Sequence, residues 1–139
     1  MDLKLDGKTA LITGASMGIG EHIARTLANE GVHLHLTARS EDKLEILKAQ
    51  IIESSNISVT LHPLDLTSKG ASERLAKMTD NIDILVNNAG AIPSGDLWDV
   101  DETAWRAGFD LKVFGYINMC RQFYRKMKDD GGGVIINII

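Results

Sequence analysis

The sequence of 139 residues has one cysteine, two prolines, only 5% aromatic residues and no excess of positive charge. The lone Cys120 cannot close an internal disulfide, so a disulfide framework is excluded and a reducing cytoplasm is the expected compartment. No apolar run approaches the roughly 18 residues of a membrane span. The start Met1-Asp2-Leu3-Lys4-Leu5-Asp6 lacks the basic and apolar regions of a secretory signal. Fifteen Lys plus Arg against nineteen Asp plus Glu leave a net charge of −4, so neither a nucleic acid nor a membrane surface is an expected partner. His33 and His35 share one face of a strand, but no Cys or carboxylate stands at metal-ligand spacing, and no metal is expected.

What is present describes a folded chain. Apolar residues make up 44% and charged residues 24%, and the length suits a single domain over residues 1–139. Lys8 to Thr13 reads as a buried strand, followed by a glycine-rich turn and a helix with Ile19, Ile23, Ala24, Leu27 and Ala28 on one face, stopped by Gly31. His33 to Thr37 is a second strand, and Ser40 caps a helix burying Leu44, Leu47 and Ile51. A third strand spans Ser58 to Asp65, and a third helix is marked by Ala71, Leu75 and Met78. A fourth strand spans Ile82 to Val86.

Strands that alternate with helices cannot be hairpins, so the fold class is α/β: a doubly wound parallel sheet of order 3-2-1-4-5 with helices on both faces. Pro63, without an N–H for a ladder, suits strand 3 at the edge. A long helix is expected from Asp101 to Met127, with Trp105, Phe109, Val113, Tyr116, Ile117, Cys120, Tyr124 and Met127 as an apolar stripe for core or interface. Gly131-Gly132-Gly133 then turns into a fifth strand, Val134 to Ile139. An apolar strand at the chain's end wants cover and neighbours, so the chain reads as cut after it.

Four loops at the strands' carboxyl ends carry candidate chemistry. In Gly14-Ala15-Ser16-Met17-Gly18-Ile19-Gly20, bare backbone lets a pyrophosphate approach the positive end of the following helix; the alternative is a tight turn with close helix packing. Arg39 and Ser40 stand nineteen residues beyond Gly20, where a dinucleotide enzyme reads the adenosine ribose. A carboxylate there would favour NAD(H). Arg39 with the Ser40 hydroxyl favours the 2′-phosphate of NADP(H), with NAD(H) left open, although Met17 supplies no second cation. The alternative is a solvated surface arginine. Asp65 with Leu66 closes the third strand, either accepting from an adenine amino group or capping the next helix. Asn87-Asn88-Ala89-Gly90 closes the fourth, tying neighbouring loops beside a ligand or forming an ordinary turn.

On these motifs, in order and register, the chain resembles the short-chain dehydrogenase/reductase family along nearly its whole length. The resemblance implies a Rossmann fold whose last strands lie beyond this chain, the dinucleotide on Gly14 to Gly20, adenine near Asp65, and ribose and nicotinamide near Asn88, Ala89 and Gly90. It also implies a catalytic serine, tyrosine and lysine, which would follow the fifth strand beyond residue 139. Tyr124 and Lys128 mimic the tyrosine-to-lysine spacing but precede that strand; Tyr124 continues the apolar stripe, and Lys126 and Lys128 complement their own helix's C-terminus. Lys112 stands where the family usually has an asparagine of a water-linked proton path. It is a candidate catalytic residue, against snorkelling to solvent along the stripe's edge.

The implied function is an NADP-dependent oxidoreductase that moves hydride between nicotinamide and a small-molecule carbonyl or alcohol substrate, working as a homo-oligomer, a dimer or tetramer. The competing reading is a non-catalytic nucleotide-binding or scaffold module, which holds if the chain truly ends at Ile139. A methyltransferase on a similar sheet would want an acid where Ala38-Arg39 stands.

Overall fold

A computed structural model describes residues 3–91 and 93–139. Five parallel strands, β1 (Thr9–Thr13), β2 (His33–Ala38), β3 (Val59–Pro63), β4 (Ile84–Asn87) and β5 (Val134–Asn137), form one sheet in the order β3-β2-β1-β4-β5. This is the expected doubly wound order, with Pro63 at the end of edge strand β3, opposite Ala38.

The strands alternate their side chains between two cores. One face puts Ala10, Ile12, Leu34, Leu36, Ile84 and Val86 under α1 (Gly18–Asn29) and α2 (Glu41–Ser54), which contribute Ala24, Ala28, Leu44, Leu47 and Ile51. The other buries Leu11 and Leu85 with Leu75 and Ala76 of α3 (Ala71–Met78) and Met119, Phe123 and Met127 of a later helix. Gly31, at φ +78°, closes α1: its N–H bonds Ala28 O, and that of Val32 bonds Leu27 O.

The long helix is present but not regular. It runs as α4 (Glu102–Phe109), a π-helical turn over Asp110–Gly115, and α5 (Tyr116–Asp129). The wide turn shifts the later part off the 3.6-residue period on which the expected stripe was built. Tyr116, Met119, Phe123 and Met127 are buried, whereas Trp105, Phe109, Ile117 and Tyr124 of the expected stripe are exposed. Met78 and Ile19, expected on inward faces, are exposed as well. Strands β3, β4 and β5 are also shorter than the apolar runs suggested, although flanking residues such as Leu64, Asp83 and Ile138 still donate to the neighbouring strands.

Lys126 corrects another expectation. Its ammonium does not serve its own helix but donates to Ala76 O at 2.6 Å and to Thr79 O, the free carbonyls at the end of α3. Among the described residues no helix is long and apolar enough to cross a membrane.

Candidate functional site

The carboxyl ends of the strands open onto a cleft of about 860 Å³, within the range of small-molecule sites. Of the residues singled out from the sequence, Gly14, Ser16, Met17, Ile19, Arg39, Ser40, Asp65, Leu66, Asn88, Ala89, Gly90 and Lys112 line it. Gly18 and Gly20 do not.

Gly20 is required by packing, since a Cβ there would lie 2.3 Å from Gly14 O and 2.6 Å from Asn88 Nδ2. Gly14, at φ +64°, would place a Cβ 2.8 Å from Ala89 Cα. The glycines thus let the β1–α1 turn and the β4 loop close on each other. Thr13 and Asn88 bolt them together. Thr13 Oγ1 accepts from the backbone N–H groups of Asn88 and Ala89, both at 2.9 Å, and Asn88 Nδ2 donates to Thr13 O at 3.1 Å and Gly14 O at 3.2 Å. Asn87 faces the other way, donating to Asn137 Oδ1 at 2.8 Å. Asn88 therefore ties neighbouring loops, whereas Asn87 ties the ends of strands β4 and β5.

Helix α1 starts at this turn with no side-chain cap on Met17, whereas α2 and α4 are capped by Ser40 and Asp101. Its first N–H groups keep their capacity for an anion. The orphaned Thr37 Oγ1, buried in the cleft wall without a partner among the described residues, is a further polar atom available there. These features fit a dinucleotide whose pyrophosphate sits on α1.

Asp65 does not cap α3, whose N-cap is Gly70. Its Oδ1 accepts from the Thr67 N–H at 2.9 Å and the Thr67 hydroxyl at 2.7 Å, closing a turn. The Thr67 backbone bond, then its hydroxyl, hold the Asp65 carboxyl below the ordinary carboxylate range against some burial, and the charge of Arg39 adds to this.

Lys112 lies in the π-helical turn and faces the cleft. Its Nζ donates to Ile138 O and to the Tyr116 hydroxyl at 3.2 Å, and stands 5.2 Å from the centre of the Tyr116 ring. Burial pushes the Tyr116 phenol up to about 12, so it keeps its proton and donates to Ile138 O at 2.9 Å. Lys112 is thus held on the cleft wall rather than extended to solvent. Gly90 makes room for it, since a Cβ there would meet Lys112 Cδ at 3.2 Å. Sequence reasoning missed Thr37, Lys43, Leu111, Ile138 and Ile139, which also line the cleft. For Lys43 a signal existed, four residues past Arg39 and inside the first turn of α2.

The histidines of the sheet are structural. His33 Nδ1 accepts from Ser58 N at 3.0 Å, and His35 stacks on His62 with Nδ1 and Nε2 2.8 Å apart.

Sheet order and a cleft over the strands' carboxyl ends define an α/β protein of the Rossmann type. Residues 8–139 match the short chain dehydrogenase family. An uncharacterized oxidoreductase of Staphylococcus saprophyticus is 36% identical over 98% of this chain and 60% of its own. The 2,3-dihydro-2,3-dihydroxybenzoate dehydrogenase of Bacillus subtilis is 32% identical over 96% and 52%. The crystal structure of L-sorbose reductase from Gluconobacter frateurii, complexed with NADPH and L-sorbose, superposes with a TM-score of 0.89 at 31% identity, covering 97% of this chain and 53% of that one. The chain belongs to the short-chain dehydrogenase family of oxidoreductases. It spans 52% to 60% of the length of these curated relatives.

Proposed function

We propose that this chain is the cofactor-holding part of an NADP(H)-dependent reductase acting on a small carbonyl or alcohol. The uncapped start of α1, opening on a cleft built by Gly14 and the Thr13–Asn88 bolt, carries the reading. A relative at 31% identity is described in complex with NADPH, which supports a nicotinamide dinucleotide here. When bound, that cofactor supplies the hydride chemistry. The residues of this chain bind and aim it: Ser16, Met17 and Ile19 at the pyrophosphate, Arg39 and Ser40 at the adenosine ribose, Asp65 at adenine, and Ala89 and Gly90 beside the nicotinamide ribose. The reacting serine, tyrosine and lysine implied by the resemblance would follow residue 139.

Lys112 is read as a positioning residue at the nicotinamide end. Its bond to Ile138 O fixes the end of β5, from which the catalytic residues would continue. A second copy of the chain is the proposed partner for the exposed Phe109, Phe114, Ile117 and Tyr124 on the long helix.

Titration of the full chain with NADPH, followed by nucleotide fluorescence, tests the reading. Saturable binding that Gly14→Val abolishes is expected. A folded protein that binds neither NADPH nor NADH overturns it, and binding without turnover of any carbonyl by the complete protein would favour a non-catalytic module.

A further inference from the structure

We propose that Lys112 makes its end of the cleft a receptor for a carboxylate, so that the carbonyl or alcohol acted on is one that carries an acid group of single negative charge. The inference rests on the dinucleotide reading above and deepens it, naming a substrate class for the same cleft.

Lys112 is half-buried on the cleft wall. An ammonium has three N–H groups to donate. Those of Lys112 meet two acceptors, Ile138 O and the Tyr116 hydroxyl, which leaves one donor unspent. Both acceptors are uncharged: one is a peptide carbonyl, and the other is a phenol that itself donates to Ile138 O at 2.9 Å. Among the described residues no carboxylate forms an ion pair with Lys112. Asp110, on the same helical turn, is exposed and does not line the cleft. A half-buried charge without a counter-ion is costly, and an anion that enters the cleft relieves that cost.

The way in is kept open by Gly90. A Cβ there would stand 3.6 Å from Lys112 Nζ, so the bare backbone leaves the ammonium uncovered on the side of the β4 loop. Other charges of the cleft wall lie elsewhere. Asp65 follows β3, and Arg39 and Lys43 follow β2, whereas Gly90 follows β4 and Lys112 reaches the residue after β5. In the order β3-β2-β1-β4-β5 this separates Lys112 from them by at least two strand spacings, about 10 Å. One cation alone suits a monoanion. A phosphate monoester, with about −1.5 to −2 charges, would be under-compensated here, and the dinucleotide's own pyrophosphate is taken up by the start of α1.

NADPH oxidation by the complete protein, followed by nicotinamide absorbance, tests this with pyruvate, acetoacetate and levulinate, each set against its methyl ester, and with dihydroxyacetone phosphate. The acids are expected to exceed their esters in kcat/KM by about ten-fold, the scale of a charge-assisted bond. Lys112→Gln keeps a donor for Ile138 O and removes the charge. It is expected to raise KM for the acids about ten-fold while KM for the esters and the NADPH dissociation constant stay unchanged. Lys112→Arg, which keeps the charge, should retain the preference for acids, and that preference in the parent and in Lys112→Arg decides the matter if circular dichroism shows Lys112→Gln unfolded. Equal use of acid and ester by the parent overturns the proposal, as does a preference for dihydroxyacetone phosphate. Equal loss on acids and esters in Lys112→Gln also overturns it, since Lys112 would then act only by holding the end of β5. A protein that binds NADPH but turns over neither acid nor ester refutes the substrate class and leaves the dinucleotide reading standing, whereas one that does not bind NADPH refutes that reading.

Discussion

Replacing Thr13 by Val should cost the protein more than any change of shape can explain. The Thr13 side chain is 1% exposed, and its Oγ1 is the acceptor for two backbone N–H groups, those of Asn88 and Ala89, each at 2.9 Å. Valine fills the same space but leaves both donors without a partner. Ala89 is buried and its N–H loses everything, whereas the half-buried Asn88 can recover part of its bond from solvent. A buried orphaned donor costs about 1–3 kcal/mol, so the pair together should cost about 2–3 kcal/mol. Urea unfolding of the full chain reads this as a midpoint lowered by roughly 1–2 M with the slope unchanged. Thr13→Ser keeps the oxygen and should retain most of the stability. Dinucleotide affinity should fall with Thr13→Val as well, because the bolt sets the gap between the glycine turn and the β4 loop. A valine variant within about 0.5 kcal/mol of the parent, or a serine variant as damaged as the valine one, would refute the argument, since about 0.5 kcal/mol is the scale of an ordinary neutral substitution.

Gly20→Ala should destabilise by more than about 2 kcal/mol and abolish NADPH binding, because the new Cβ would meet backbone at Gly14 O and not a yielding side chain. Gly18→Ala, with nothing within 4 Å, should cost only the roughly 1 kcal/mol of its positive φ; equal thermal denaturation midpoints for the two variants would contradict this. Burial, and then the neighbouring His35, hold His62 down from 6.5 to about 4, while burial also lowers His35 against a smaller pull from Asp80. The unfolded chain thus binds more protons between these values, so stability is complete above pH 6.5 and is lost as pH falls toward 4. The loss should reach roughly 2 kcal/mol after allowance for solvent screening. His62→Gln should flatten that part of the denaturation profile, and a parent profile already flat there would contradict the pair's neutral state. Lys126→Met should cost about 1–2 kcal/mol by stripping the donor from Ala76 O and Thr79 O, and amide exchange in α3 should rise; exchange unchanged in α3 would count against the inter-helix cap.

The sheet was legible because parallel buried strands declare themselves as short apolar runs, and the turns between them fall at glycine, serine and proline. Leu44, Leu47 and Ile51 show the same for helices: a regular 3.6-residue repeat was enough to name the buried face of α2. The long helix was misread for a physical reason. A π-helical turn at Asp110–Gly115 leaves no mark in hydrophobic periodicity, and beyond it the buried face of α5 keeps Tyr116 and Met127 of the expected stripe but takes Met119 and Phe123 in place of Ile117 and Tyr124. Partners across space were equally silent. Nothing in the sequence around Lys126 pointed to the end of α3, and nothing around His35 pointed to His62, because those contacts depend on how separate elements pack.

The cleft and the core meet along one row of residues, and this explains why so much of the site was visible. On the sheet face shared with Leu11, the last positions are His62 on β3, Thr37 on β2, Thr13 on β1, Asn87 on β4 and Asn137 on β5; Thr13 is paired with Thr37, Thr37 with His62, and Asn87 with Asn137. One register step of two below them lie Leu11, Leu85 and Ile135, which are apolar and packed together. Four of the five polar residues are buried, so each wants a partner. Thr13 and His62 find theirs in loop backbone and in His35, and the Asn87 amide donates to Asn137, while the Thr37 hydroxyl and the Asn87 Oδ1 have no partner among the described residues. A polar row at that depth cannot be held by apolar packing. It is held by the loops it ties, and those loops carry the glycines, Asn88 and Asp65. The residues that close the core are therefore the ones that shape the cleft, which is why perturbing Thr13 should register in both stability and nucleotide affinity.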